Sequence, residues 1–319
     1  MFAREISDPL SIGGYRGGVF LTTTLPRVLT GADLLPADRL LWAVLAVMAA
    51  IVSPWKHLVS VEITGMPQAL EIAAAMLALR AIYVTVRPGA RIVHALLENG
   101  AGIIAYTAIL APVSYLCARN TMPLFDDVLH AADARLGFDW LAWAAFENGI
   151  PAIAVILKLA YASLLPQTVL VLVVLPVIGD GRRGFSFIRA SLIAVIVACA
   201  GSYLFPAAGP EAVVTDWYPH WAALRTTEPF TASLSQVQGI IAFPSFHASL
   251  AVLLLFAVRG LGVVTWAFGT LEVLMLISTP THGHHYLCDV IAGIGIAGGA
   301  VVLTDRLDRW FPPRLSVIP

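Results

Sequence analysis

Long apolar stretches separated by short polar connections run along most of the chain. They fall at residues 40–55, 67–86, 92–117, 151–178, 186–205, 244–259, 261–278 and 285–304. A transmembrane helix needs about 20 such residues, so the pattern predicts an all-α integral membrane protein with about eight transmembrane helices. The stretch at 151–178 contains Pro166, which predicts a kink or an extension of the span backwards through Trp140–Glu147.

Composition agrees with this interpretation. The 319 residues are 59% hydrophobic and 12% charged, with a mean hydropathy of +0.83, whereas soluble domains carry about 25% charged residues. The net charge of −1 gives no basis for nucleic-acid binding. The three cysteines, Cys117, Cys199 and Cys288, are odd in number and lie in apolar surroundings, so no disulfide framework is expected.

The distribution of basic residues predicts the orientation in the membrane. They fall in four groups: Arg80, Arg87 and Arg91; Arg182, Arg183 and Arg189; Arg259; and Arg306, Arg309 and Arg314. With eight spans, all four groups lie on one side, which the positive-inside rule makes cytoplasmic. Both termini are then cytoplasmic, and the segments at 119–149, 206–243 and 279–284 face the opposite side. Residues 121–140 form an amphipathic segment, which fits an interfacial helix or an ordinary surface connection equally well.

A histidine-rich run, Ser278–Asp289, joins two of the apolar stretches. If the chain is helical from His285 onward, His285 and Asp289 lie one turn apart on one face. Asp289 then accepts a hydrogen bond from one ring nitrogen and leaves the other as a nucleophile or base. With His282 and His284, the same residues also suit a metal site or a proton relay, although the spacing matches no structural zinc pattern.

A second polar cluster, Phe243–Ser249, precedes another apolar stretch. Proline favours the first turn of a helix, so a helix is predicted to start near Pro244. Its free backbone N–H groups form an anion site, to which the Ser245 hydroxyl adds a donor. His247 lies one turn in and faces the same region. Because ionisable groups at membrane depth are costly and usually functional, we interpret His247 as a site residue.

These two clusters resemble the second and third motifs of the type 2 phosphatidic acid phosphatase (PAP2) superfamily. The matching patterns are Pro244-Ser245-x-His247 and Ser278-x6-His285-x3-Asp289. The Ser-Thr start and His-His-Tyr-x-x-Asp end of the third motif are closest to the inositol phosphorylceramide synthase (aureobasidin-resistance) branch. Asp133-x-x-Leu136-Gly137 and Phe205–Pro210 give weaker support. The resemblance implies an N-terminal segment, 1–90, with about two transmembrane helices, and a six-helix PAP2-like catalytic domain at 91–319.

The resemblance also implies the roles of individual residues. His285 attacks phosphorus and forms a phosphohistidine, Asp289 orients it, and His247 protonates the departing oxygen. This chemistry requires no metal and no cofactor. The residues expected to bind substrate are Ser245, His284, His282, Ser278, Arg225 and Asp216.

Two departures from the phosphatase pattern bear on the substrate. Thr279 stands where a phosphatase carries arginine, and Phe205–Pro210 offers no cation where the first motif is expected. Lys158 with Leu165-Pro166 is only superficially similar to that motif, because it lies a full span earlier and lacks the arginine. A phosphate monoester without an arginine clamp loses strong contacts, while a diester carries less charge.

The sequence therefore favours a phosphotransferase that uses a phospholipid donor and a lipid alcohol acceptor within the bilayer. A lipid or polyprenyl phosphate phosphatase is the alternative with the same chemistry. A proton- or metal-coupled transporter is disfavoured because the histidines cluster at one mouth rather than in paired midplane helices. An inactive receptor or scaffold is disfavoured by the intact His247, His285 and Asp289.

Overall fold

The fold is a bundle of α-helices, seen here in a computed structural model that describes residues 36–210, 217–236 and 239–310. Two short strands, β1 (Val61–Thr64) and β2 (Phe230–Ser233), pair in parallel, and a 3-10 turn, Leu234–Gln236, follows β2. The helices are α1 (Pro36–Leu58), α2 (Met66–Val86), α3 (Arg91–Ala118), α4 (Asp126–Arg135), α5 (Trp140–Asn148), α6 (Pro151–Ala162), α7 (Leu164–Val177), α8 (Gly181–Leu204), α9 (Trp217–Leu224), α10 (Phe246–Ala257), α11 (Val263–His282) and α12 (Leu287–Trp310).

Each predicted apolar stretch contains helix, but the helices differ in length. Within the described residues, six helices are long and apolar enough to cross a membrane: α1, α2, α3, α8, α11 and α12. The pair α5–α6 raises the number to seven if it counts as one bent span. Helix α10 has 12 residues, or about 18 Å at 1.5 Å per residue, which is short of the hydrocarbon thickness. The prediction of an all-α, multi-pass membrane fold is confirmed.

The stretch at 151–178 is divided rather than extended. Helices α5 and α6 meet at 111°, so Trp140–Glu147 does not continue the span in a straight line. Ile150 adopts φ −129° and ψ 88° before Pro151, as expected because the proline ring excludes the helical conformation from the preceding residue. A second break separates α6 from α7 at Ser163, since Pro166 has no N–H for the carbonyl of Ala162.

Helix α3 is central to the bundle. It packs against α1, α2, α7 and α8, and α8 in turn packs against α10 and α12. In the most apolar window of α3, 78% of the residues are buried, compared with 6% for α2. Helix α2 is therefore a peripheral helix whose apolar surface faces the bilayer.

The division into segments 1–90 and 91–319 stays a prediction. Helices α1 and α2 of the first segment pack on α3 of the second, and β1 pairs with β2.

Candidate active site

Ser245 begins helix α10, close to the predicted start at Pro244. Its side-chain oxygen accepts the N–H of Ala248 at 3.2 Å, which makes it the N-cap. Its own N–H donates to the backbone carbonyl of Asp289 at 3.1 Å. The first turn of α10 is thus tied to the first turn of α12, and His247 lies within that turn.

His285 lies in the connection between α11 and α12 and is 1% exposed. Its Nδ1 is 2.7 Å from the carbonyl oxygen of Ala242. Because a carbonyl only accepts hydrogen bonds, Nδ1 carries the ring proton and Nε2 holds a free lone pair. That Nε2 is 3.1 Å from the Ser245 hydroxyl. Burial lowers the pKa of His285 to about 4, so the imidazole is neutral at pH 7.

Asp289 differs from the expected arrangement. Helix α12 starts at Leu287, not at His285, and Asp289 is the third residue of its first turn. One oxygen of Asp289 reaches back to accept the N–H of Tyr286 at 2.8 Å, as in a capping box. The same oxygen is 3.5 Å from Nδ1 of His285. The direct acceptor of the Nδ1 proton is therefore the Ala242 carbonyl, and Asp289 lies at slightly longer range.

The structure brings His247 and His285 together from separate helices. Their ring centroids are 6.1 Å apart, with 64° between the ring planes. Tyr161 of α6 packs on His247, with ring centroids 5.1 Å apart. The two imidazoles therefore lie next to each other, and Tyr161 covers one side of the His247 ring.

Two further histidines of the third motif, His282 and His284, lie in the same part of the structure. His284 adopts a left-handed conformation with φ 57°, and its carbonyl packs directly on Gly209, where an added Cβ atom would collide with it. His282 places Nε2 2.7 Å from a carboxylate oxygen of Glu147. The Tyr161 ring lies near both His282 and His247.

Other predicted binding residues have different partners. Ser278 is fully buried, and its hydroxyl donates to the carbonyl of Met275, one turn earlier in α11. Arg225 donates to the carbonyl of Met122 at 2.6 Å and stacks over Trp221. Both side chains thus stabilise the protein's own backbone in this structure. Asp216 lies outside the described residues.

Helix α4 supplies two carboxylates, Asp126 and Asp133, to which the sequence alone assigned no role in the site, although Asp133 belongs to one of the patterns that weakly supported the family resemblance. Asp133 is 2% exposed, and its two oxygens accept the N–H groups of Leu287 and Cys288 at 2.7 and 2.8 Å. It therefore caps the start of α12, directly after His285. Asp126 and Asp133 lie seven positions apart in α4, and this spacing places both side chains on one face of the helix.

Asp126 holds the loop that follows α8. Its carboxylate accepts the N–H groups of Ala208 and Gly209 at 3.0 and 2.9 Å and the Tyr286 hydroxyl at 3.1 Å. The seven-residue spacing shows from the sequence that both aspartates share one face of the helix, but only the fold reveals what that face contacts.

Arg119 and Arg225, two arginines of the described residues that could bind phosphate, have backbone carbonyls as partners. Arg119 donates to the carbonyls of Leu224 and Glu228, at 3.2 and 2.6 Å. The Thr279 hydroxyl, at the position where a phosphatase carries arginine, donates to Met275 within α11. Across the described ranges, no group of three or more His, Cys, Asp or Glu side chains has the arrangement of a metal site.

The fold and the site together define a multi-pass helical membrane protein with two imidazoles and a carboxylate at one end of the bundle. A family model, described as the PAP2 superfamily, matches residues 127–303. That range covers more than half of the chain and contains both histidine motifs, and the chain belongs to this superfamily. Membership of this superfamily implies a phosphatase or phosphotransferase. Neither curated proteins nor solved structures show a match to the chain.

Proposed function

We propose that the protein is a membrane-embedded lipid phosphotransferase that moves a phospho-headgroup from a phospholipid to a lipid alcohol. The observation that carries the proposal is the state of His285. Its Nδ1 proton is held by the Ala242 carbonyl at 2.7 Å, so Nε2 presents a lone pair toward Ser245 and the space beside His247. A buried neutral imidazole with a fixed tautomer is the form that a nucleophile requires.

In the first step, Nε2 of His285 attacks the phosphorus of the donor. A nitrogen–phosphorus bond forms, the bond from phosphorus to the departing lipid oxygen breaks, and His247 gives a proton to that oxygen. The ring gains positive charge as it is phosphorylated. Asp289, 3.5 Å from Nδ1, stabilises that charge, and the Ala242 carbonyl keeps the ring in place.

In the second step, the hydroxyl of an acceptor attacks the phosphohistidine. The nitrogen–phosphorus bond breaks, its electron pair returns to Nε2, the proton of the attacking hydroxyl passes to a base of the site, and the acceptor leaves with the phospho-headgroup. Division of the displacement into two steps lets an acceptor other than water enter after the first product has left.

The backbone partners of Arg119 and Arg225 support a phosphodiester donor. A phosphate monoester carries a second negative charge, which enzymes usually balance with arginine. Arg119 and Arg225 are engaged by backbone carbonyls, and Thr279 is bonded within its own helix. The backbone N–H groups in the first turn of α10, together with the Ser245 hydroxyl, balance the single negative charge of a diester more readily than the two charges of a monoester. On the same reasoning, and because the third motif at Ser278–Asp289 has the pattern of that branch, we propose that the protein belongs to the inositol phosphorylceramide synthase branch.

The basic residues support an orientation with the site on the non-cytoplasmic side. At the opposite end of the bundle, α8, α10 and α12 meet around a cavity lined by Arg182, Arg183 and Arg259. Arg183 donates to the carbonyls of Ala257 and Arg259, at 3.3 and 2.9 Å. By the positive-inside rule we propose that this end is cytoplasmic; the two termini, for which the sequence predicts the same side, lie outside the described residues.

The proposal is tested with purified protein in vesicles that contain phospholipids labelled at the headgroup phosphate. We expect transfer of label only when a lipid alcohol is added, together with an acid-labile, base-stable phosphoenzyme. H285A and H247A should lose transfer, whereas H130A, at an exposed position on α4, should retain it.

Two results would contradict the proposal. Release of free phosphate from a lipid monophosphate without any requirement for an acceptor alcohol would make the protein a phosphatase. Full turnover by H285A would exclude the phosphohistidine itself.

A further inference from the structure

A buried carboxylate next to the site has no role in the steps above. Glu147, near the end of α5, is 3% exposed. One of its oxygens is 2.7 Å from Nε2 of His282, and the other accepts the Thr281 hydroxyl at 2.5 Å. A buried carboxylate is costly unless a partner compensates its charge, so the pairing with an imidazole needs an explanation.

The bent pair α5–α6 brings this carboxylate to the site. The Trp140 indole N–H donates to the Pro280 carbonyl at 2.8 Å, which docks α5 on the end of α11. From α6, the Tyr161 ring reaches His247 and His282, with centroid distances of 5.1 and 6.3 Å. The Glu147–His282 pair therefore lies on the same wall as His247.

His282 is also close to the nucleophile along the chain. Gly283 follows it, and a Cβ atom at Gly283 would lie 2.8 Å from Cδ2 of His285 and 3.1 Å from the Tyr161 ring. The His282 side chain is 24% exposed, compared with 1% for His285, although Nε2 of His282 is itself buried against Glu147. An incoming molecule thus has access to His282, while His285 lies deeper.

We propose that His282 and Glu147 form a second acid–base pair, which takes the proton from the acceptor hydroxyl in the second step; this inference rests on the proposed function. As the acceptor oxygen attacks phosphorus, its proton passes to Nδ1 of His282, and the nitrogen–phosphorus bond electrons return to His285. Glu147, at Nε2, stabilises the charge that the ring acquires. His282 is the catalytic residue of the pair, and Glu147 is a positioning residue.

The pair serves the acceptor rather than the donor for a physical reason. The base in the second step ends with a positive charge in a partly buried site. His282 has a carboxylate at 2.7 Å to balance that charge, whereas the ring contacts of His247 are with Tyr161 and His285. An acid at His247 and a base at His282 would let the donor alcohol leave and the acceptor alcohol enter at different positions, and proton exchange with water would restore both rings after each turnover.

The test separates the two half-reactions. Phosphoenzyme is formed with labelled donor in the absence of acceptor, and is then mixed with an alcohol, either ethanol or the more acidic trifluoroethanol. In H282N and E147Q we expect phosphoenzyme formation within about threefold of the native rate and transfer to ethanol slower by about 100-fold. The loss should be much smaller with trifluoroethanol, because an acidic hydroxyl depends less on a base.

Control variants distinguish a catalytic role of the His282–Glu147 pair from a purely structural one. T281V removes the other contact of Glu147, and W140F removes the docking bond, but both keep the His282–Glu147 pair. If H282N slows both half-reactions equally, or if its loss is the same with both alcohols, the pair is structural and the proposal is overturned. If H282N transfers at the native rate, His247 serves both steps. A native protein that forms no phosphoenzyme would refute the proposed function instead.

Discussion

The Ser245 hydroxyl lies 3.1 Å from Nε2 of His285, and this contact joins the two motifs of the site. The same oxygen accepts the N–H of Ala248, so its one proton is available to donate to the lone pair of Nε2. A single side chain thus caps α10 and orients the nucleophile. A substrate phosphorus must take the place of this hydrogen bond when His285 attacks.

The first prediction follows from this double role. S245A should lower the stability of the protein by about 1 kcal/mol, because a helix loses its N-cap, and should also lower the rate of transfer about tenfold as His285 loses a fixed partner. S249A is the matched control: its hydroxyl donates to the backbone carbonyls of Gly293 and Ser245, at 2.8 and 3.2 Å, rather than to His285. Thermal unfolding in detergent and transfer rates measure the two effects. Equal losses of activity in both variants would contradict a role of Ser245 at His285.

A second prediction concerns the close approach of the 205–210 loop to the third motif. Gly209 has φ +91°, and an added Cβ atom would collide with the carbonyl of His284. G209A should therefore destabilise the protein and displace His284, with a large loss of transfer activity. Gly179 has a similar φ of +86° but no atom within 4 Å of an added Cβ.

G179A is thus the control for the backbone conformation alone, which costs about 1–2 kcal/mol. Unfolding temperatures and transfer rates of the two variants should differ clearly. If G209A and G179A behave alike, the contact between Gly209 and His284 has no importance beyond the backbone angle.

The sequence predicted those parts of the structure that depend on local pattern. Apolar length identified the helices, and the proline before Ser245 located the start of α10 to within two residues. The pairing of His247 with His285 followed from recognised motifs, because a shared family pattern implies a shared geometry. Helix number was less accurate, since the length of an apolar stretch does not reveal a 111° bend between α5 and α6.

The remaining features depend on tertiary contacts that no periodicity encodes. The acceptor of the His285 proton is a backbone carbonyl, that of Ala242, and any residue type at position 242 would supply it. Glu147 and Asp133 lie more than 100 positions before the segments that they contact. Their carboxylates resemble surface charges in the sequence, and only the packing of α4 and α5 shows that both are buried.

A third prediction concerns the packing of α10 on α12. A Cβ atom at Gly293 would collide with the Ser245 carbonyl and lie 3.0 Å from the Ala248 side chain. G293A should push the two helices apart and separate Ser245 from His285, so both stability and transfer should fall. G295A, in the same helix with open space around an added Cβ, should leave both nearly unchanged or raise stability slightly through helix propensity. Loss of activity in G295A equal to that in G293A would contradict the packing argument.

The last prediction is the pH dependence that His285 gives to stability. Its pKa falls from an ordinary value of 6.5 to about 4 because burial disfavours the charged ring. Between these two values the unfolded chain binds more protons than the folded protein, so folding is increasingly disfavoured as the pH falls. The stabilisation is fully present above about pH 6.5, and a single site of this kind loses about 2 kcal/mol between pH 7 and pH 5.

H285Q removes the titrating group and isolates its contribution. Apparent unfolding temperatures of the native protein and H285Q, measured in detergent at pH 7 and pH 5, should show a larger decrease for the native protein. Other groups titrate in both proteins, so only the difference between the two decreases reports on His285. Equal decreases would mean that His285 is protonated as easily in the folded protein as in the unfolded chain. The premise that His285 is a neutral, buried imidazole, on which its proposed role as nucleophile depends, would then be wrong.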